Sequence, residues 1–204
     1  MRKFLKRMTG IFLCVAMAAG IYGAIPAYAE GTDTGTDIQE QAAQWPTGPA
    51  VQAASAIIMD ASTGTVLYEK DADTPRYPAS ITKIMTTLLA LENCNLDEMV
   101  HFSATAVYEN EGGTSHIARD LDEEMTLEQC LYGIMLESAN EVCLAVAEHI
   151  SGSISNFVGL MNKRVKDLGL KDTHFNNPNG LPDPKHYTTA YDMAVIARQA
   201  MKSS

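Results

Sequence analysis

The sequence predicts a mixed α/β (α+β) protein in which one small β-hairpin is followed by many helices. Three observations predict it. A short apolar run, Ala56-Ile57-Ile58-Met59, is separated from Val66-Leu67-Tyr68-Glu69 by the turn signal Asp60-Ala61-Ser62-Thr63-Gly64, the layout of a hairpin. From Ser80 onward the apolar spacing becomes helical, with Ile81, Ile84, Met85, Leu88 and Leu89 on one face. The 204 residues are 46% apolar, enough for a sizeable core and too many for a wholly disordered chain.

The elements follow in order. Residues 1–29 read as a secretory signal peptide. Arg2, Lys3, Lys6 and Arg7 form a basic start, Ile11 to Ile25 is mostly apolar, and Ala27-Tyr28-Ala29 has small residues at the first and third positions of a cleavage site before Glu30. A transmembrane anchor is the alternative, but the apolar run falls short of the roughly 20 residues a span needs. Residues 30–52 are rich in Gly, Thr, Asp, Gln and Pro and read as a solvated leader. The folded part is expected from residue 53 to 204.

After the hairpin and a polar loop, the Ser80 helix begins. Val100-His101-Phe102 is a short strand candidate, and residues 103–123 read as surface loops. Thr126-Leu127-Glu128-Gln129 matches a capping box, in which the Thr hydroxyl and the Gln side chain satisfy free N–H groups at a helix start. Leu127, Cys130, Leu131, Ile134 and Met135 continue it as one face. Ser138-Ala139-Asn140 interrupts the pattern, and a second helix runs from about Glu141 to Ile150. Another opens at Ser153, with Ile154, Phe157, Met161, Val165 and Leu168 on its face and Gly169 as its stop. Asn176-Asn177-Pro178-Asn179-Gly180 is dense turn signal, and Thr189-Ala190-Tyr191-Asp192 opens a last helix.

Charge and cysteine content narrow the function classes. The net charge is −10, and without residues 1–29 it becomes −14 over 175 residues. This argues against a nucleic-acid partner, which calls for a basic patch, and against adhesion to anionic lipid. Cys94, Cys130 and Cys143 remain after cleavage. They are odd in number and contain no Cys-x-x-Cys, so neither a redox nor a zinc motif is indicated. His101, His116, His149, His174 and His186 show no ligand spacing. No metal or other cofactor is expected.

Two motifs carry chemistry. Ser80-Ile81-Thr82-Lys83 puts Ser80 and Lys83 one turn apart on the same face, at or near a helix N-terminus. A serine hydroxyl needs a base within reach, and a lysine can be that base only if its pKa is pulled down. The bland alternative is a capping serine with a surface lysine. Ser138-Ala139-Asn140 lies 58 residues downstream in a break between helices. There a hydroxyl could relay a proton and a carboxamide could hold a substrate amide; the alternative is that both merely cap. Ser-x-x-Lys followed by Ser-x-Asn in a secreted chain is the pattern of penicillin-binding proteins and serine β-lactamases.

From about Ala53 to its end the chain resembles the low-molecular-weight penicillin-binding proteins, serine D-alanyl-D-alanine carboxypeptidases of the peptidase S11 type. The hairpin Ala56–Glu69, Tyr77-Pro78-Ala79-Ser80-Ile81-Thr82-Lys83 and Glu137-Ser138-Ala139-Asn140-Glu141 carry the resemblance. So do Thr173-His174-Phe175-Asn176-Asn177-Pro178-Asn179-Gly180-Leu181 and His186-Tyr187-Thr188-Thr189-Ala190-Tyr191-Asp192. The resemblance implies the transpeptidase fold of penicillin-binding proteins and serine β-lactamases. It implies Ser80 as the acylated nucleophile, Lys83 as its base, Ser138 as proton relay and Asn140 as a substrate-positioning group. The implied substrate is the peptidoglycan stem peptide ending in D-Ala-D-Ala, and β-lactams would acylate the same serine.

The family's third motif, Lys-Thr-Gly or Lys-Ser-Gly on a later strand, is not in the sequence; Lys202-Ser203-Ser204 lacks the Gly and trails a helical pattern. The expectation is therefore the helical part and first hairpin of such a domain, without its remaining strands, from either a longer protein or a degenerate product. Ile84, Leu88, Ile134 and Met135 would then lie uncovered. Three functions stay open: a D-Ala-D-Ala carboxypeptidase of cell-wall remodelling, a β-lactamase-like hydrolase, and a non-catalytic fragment. No Glu-x-x-Leu-Asn segment supports the second. Oligomeric state and membrane tethering are not legible.

Overall fold

The computed structural model describes residues 48–109 and 113–202. The signal-peptide reading and most of the leader lie outside the described residues.

The hairpin forms as its pattern predicts. Strand β1 (Ala56–Met59) pairs antiparallel with β2 (Val66–Lys70), with a register shift between Ile58 and Met59. The Asp60 carboxylate closes the turn by accepting from the Ser62 hydroxyl and from the Thr63 N–H and hydroxyl. These bonds favour its charged form and hold its pKa at about 2.

A 3-10 turn over Ala79–Thr82 leads directly into α1 (Lys83–Asn93). Its buried face is Met85, Leu88 and Leu89, while Ile81 is exposed. Strand β3 (Met99–His101) pairs antiparallel with β4 (Glu124–Thr126), making a second two-stranded ribbon. Only Met125 of the three β4 residues is apolar, and Thr126 doubles as the cap of the next helix, so no strand pattern shows there in the sequence. Between the two strands lies a short helix, α2 (Ala104–Tyr108), where surface loop was expected. Ser103 caps it by accepting from the Ala106 N–H.

Helix α3 (Leu127–Leu136) starts at the capping box: Thr126 accepts from the Gln129 N–H, and the Gln129 side chain accepts from the Thr126 N–H. Helix α4 (Asn140–Ser151) is buried continuously from Asn140 to Ala147, which marks it as the central helix of the core. Helix α5 (Ile154–Asp167) is capped by Ser153, and Gly169 beyond it adopts φ 75°. Helix α6 (Ala190–Ala200) is capped by the Thr189 hydroxyl. It packs on α1 and β1, and its Arg198 donates to the carbonyls of Ala61 and Ser62 in the hairpin turn.

Two apolar clusters share α1 and α4. One gathers Val100, Phe102, Leu127, Cys130 and Ile134 around Val142 and Val146. The other gathers Met85, Leu88 and Leu89 with Phe157, Met161, Phe175 and Ile196. Leu88 and Ile134 are thus buried, contrary to the expectation that they lie uncovered. The helices pack on one another, and Met135 alone of the four named residues is exposed. Cys130 and Cys143 are buried, as their helix faces predict.

Candidate active site

Ser80, Lys83, Ser138 and Asn140 come together in one place. Ser80 is exposed at the 3-10 turn, and Lys83, the first residue of α1, is buried. Lys83 Nζ lies 3.4 Å from Ser80 Oγ, 2.7 Å from Asn140 Oδ1 and 2.7 Å from the Asn179 carbonyl oxygen. Ser138 Oγ lies 3.0 Å from Ser80 Oγ.

This coordination suits a base. A neutral amine has two N–H groups and one lone pair. Donation to Asn140 Oδ1 and to the Asn179 carbonyl uses both N–H groups and leaves the lone pair for the Ser80 hydroxyl proton. Burial, the dominant cause, lowers the Lys83 pKa by penalising the ammonium; the nearby Cys143 and Glu141 oppose the shift.

The backbone around Ser80 is held in unusual conformations. Ala79 and Ser138 both have left-handed backbones, at φ 52° and 56°. Such positions cost energy for residues with a Cβ and persist only where the surroundings impose them. For Ala79 the surroundings are a strap over Asn176–Leu181. Gly180 (φ 90°) lies so close that a Cβ there would sit 1.9 Å from the Ala79 carbonyl oxygen. The strap bonds to itself through Asn177 Oδ1 with the Gly180 N–H and Asn179 Oδ1 with the Leu181 N–H. It is tied to α1 by the Thr86 hydroxyl, 2.6 Å from the Pro178 carbonyl.

His186 anchors the strap's other end. Its Nδ1 accepts from the Asn176 N–H at 2.9 Å, so the ring proton must sit on Nε2, 2.8 Å from Thr82 Oγ1. Burial pushes its pKa down to about 4, keeping it neutral. On the opposite side, Asn140 N–H donates to the Ser115 carbonyl, and Glu141 Oε1 accepts from the Ile117 N–H at 2.6 Å. Glu141 Oε2 is buried without a hydrogen-bond partner. The Cys143 thiol, pushed up to about 12 by burial, is inert.

Sequence reasoning did not single out Asn179, Gly180, Glu141 or the Thr82–His186 pair. The turn density of Asn176–Gly180 and the quoted His186 stretch were the available signals. A backbone carbonyl as lysine partner leaves no signature in side-chain identity.

Residues 39–204 match the family model described as D-alanyl-D-alanine carboxypeptidase, peptidase S11. The chain belongs to that family. It is 43% identical over 153 residues to D-alanyl-D-alanine carboxypeptidase DacF of Bacillus subtilis, covering 74% of this chain and 39% of that protein. It is 35% identical over 199 residues to the D-alanyl-D-alanine carboxypeptidase of Streptomyces sp. strain K15, covering 92% of this chain and 62% of that one. The structure of penicillin-binding protein 5 from Haemophilus influenzae superposes with a TM-score of 0.73 at 36% identity, covering 78% of this chain and 47% of that chain. The fold class expected from the resemblance is therefore the one observed. The chain spans 39% and 41% of the length of two curated relatives that it matches.

Proposed function

We propose that this family member is a serine D-Ala-D-Ala carboxypeptidase acting on peptidoglycan stem peptides. One observation carries the reading: a serine hydroxyl 3.4 Å from a buried lysine nitrogen that also has Asn140 Oδ1 and the Asn179 carbonyl oxygen as acceptors. In the proposed step the Ser80 hydroxyl gives its proton to Lys83 Nζ. Ser80 Oγ attacks the penultimate D-alanine carbonyl carbon, and the bond to the terminal D-alanine nitrogen breaks. Ser138, hydrogen-bonded to Ser80 Oγ, relays the proton to that departing amine. Water then hydrolyses the ester and frees Ser80. The separation of 3.4 Å between Lys83 and Ser80 is at the long end of hydrogen bonding, as is common before substrate binds.

Asn140 has a double role in this reading. Its Oδ1 holds Lys83, and its Nδ2 donates to the substrate amide. β-Lactams, whose strained amide presents the same carbonyl, would acylate Ser80. The basic, apolar and small-residue order of residues 1–29 supports export to the cell-wall side of the membrane, where the substrate lies. Residues 30–52 are then a leader and 53–204 the catalytic part. No helix among the described residues is long and apolar enough to cross a membrane.

The test is release of D-alanine from a peptide ending in D-Ala-D-Ala, beside one ending in L-Ala-L-Ala. Release from the first alone, abolished in Ser80→Ala, is the expected result. Equal release from both, or persistence in Ser80→Ala, contradicts the reading.

A further inference from the structure

At the opposite end of α1 from Lys83, three side chains of different chemical type converge. Cys94 is the residue just past α1, Glu98 precedes β3, and His149 lies near the end of α4. Cys94 Sγ, a Glu98 carboxylate oxygen and a His149 ring nitrogen all lie within 4.8 Å of one another. His149 Nε2 is 3.0 Å from Glu98 Oε2. The carboxylate is held from behind: Glu98 Oε1 accepts from the Asn95 N–H at 2.6 Å and from Asn95 Nδ2 at 3.0 Å. Such outer support is what orients a metal-ligating carboxylate. Cys94 is a free thiol and only partly buried, and the His149 and Glu98 side chains are 23% and 35% exposed, so an ion can enter from solvent.

We propose that Cys94, Glu98 and His149 bind a borderline-soft divalent cation, Zn2+ above all, with water as fourth ligand. One sulfur, one imidazole nitrogen and one carboxylate oxygen are donors that zinc takes in tetrahedral sites. Metal–ligand distances of about 2.0–2.3 Å place tetrahedral ligands roughly 3.3–3.8 Å apart. The ligand atoms, at most 4.8 Å apart, would have to close by about 1–1.5 Å at the widest pair. On binding, the thiol proton leaves to solvent as the sulfur–metal bond forms. Thiolate and carboxylate then balance the two positive charges, and the imidazole binds neutral.

The placement gives the site a purpose. Helix α1 begins with Lys83 and ends beside Cys94; α4 begins with Asn140 and carries His149 near its end. A metal at the far ends would clamp together the two helices whose near ends hold the Lys83–Asn140 hydrogen bond. The inference does not rest on the proposed reaction, because it concerns other side chains.

The test titrates Co2+ into the untagged, reduced, full-length protein. The expected result is one equivalent bound with a near-ultraviolet thiolate-to-cobalt band, displaced by Zn2+. Cys94→Ser should abolish the band, and His149→Gln should weaken binding by about tenfold or more. Zn2+ should raise the thermal midpoint of the wild-type protein and leave that of Cys94→Ser unchanged. Absence of the thiolate band in the wild-type protein, which needs no variant to interpret, overturns the proposal. So does a band that survives in Cys94→Ser. A mere His149–Glu98 ion pair would give neither the band nor the zinc-dependent shift.

Discussion

Gly180 lies against the backbone of Ala79, and a Cβ at position 180 would stand 1.9 Å from the Ala79 carbonyl oxygen and 3.0 Å from the Ser80 nitrogen. No side chain can occupy that space. Gly180→Ala must therefore push the strap off the Ala79–Ser80 turn or displace Ala79 and Ser80. The positive φ adds about 1–2 kcal/mol for any residue with a Cβ. The expected outcome is a lowered thermal midpoint together with at least a tenfold loss of acylation rate by a β-lactam. Acylation at the wild-type rate would show that the contact does not position Ser80.

Lys83 has its pKa lowered by burial, so its free-base fraction, and with it acylation, should rise with pH through a value below the ordinary lysine value of about 10.4. The Glu141 charge favours the ammonium and works against that shift. Glu141→Gln removes the charge, lowers the Lys83 pKa further and moves the acid limb of the acylation profile to lower pH. A limb that stays in place, or moves to higher pH, would show that Glu141 does not act on Lys83 electrostatically. The same buried site predicts that Lys83→Arg abolishes acylation and also destabilises the fold, since a larger, always charged group must fill the space between Asn140 and Asn179.

His186 has a folded pKa of about 4 against an ordinary 6.5. The unfolded chain binds the proton more readily, so its contribution to stability is present above about 6.5 and is lost progressively as pH falls toward about 4. Protonation also breaks the acceptance by Nδ1 from the Asn176 N–H. Denaturant unfolding at stepped pH should show stability falling over that window. His186→Gln should flatten the fall, at the expense of lower stability at neutral pH. An unchanged slope in the variant would assign the pH dependence to other groups.

The capping box at Thr126 is expected to contribute about 1 kcal/mol. Thr126→Ala should lower unfolding free energy by about that amount without altering acylation, because α3 starts well away from Ser80 in the sequence and at its far end from Ser138. A change below a few tenths of a kcal/mol would mean that tertiary packing alone sets this helix start.

Much of this arrangement was legible in the sequence because it is written in side-chain identity at short range. The hairpin, the Thr126 cap, the Ser153 and Thr189 helix starts and the Gly169 stop each depend on a few neighbouring residues. Ser80 and Lys83 share a helix face, and Ser138 and Asn140 were paired with them by resemblance. Strand β4 escaped because only Met125 of its three residues is apolar, and helix α2 because five residues are too short for a helical period to show. The strap escaped for another reason. Asn179 acts through its carbonyl and Gly180 through its lack of a side chain, so only the folded backbone reveals either role. Cys94, Glu98 and His149 escaped because 55 residues separate the first from the last, and only the packing of α4 on its neighbours brings them together.

The central claim is that Ser80 is the nucleophile and Lys83 its base. Its most direct test is adduct mapping: incubate the protein with a fluorescent penicillin, digest it, and locate the label by mass spectrometry. Label confined to the peptide containing Ser80, and absent from Ser80→Ala, is the predicted result. Label on any peptide lacking Ser80, or undiminished label in Ser80→Ala, would contradict the account.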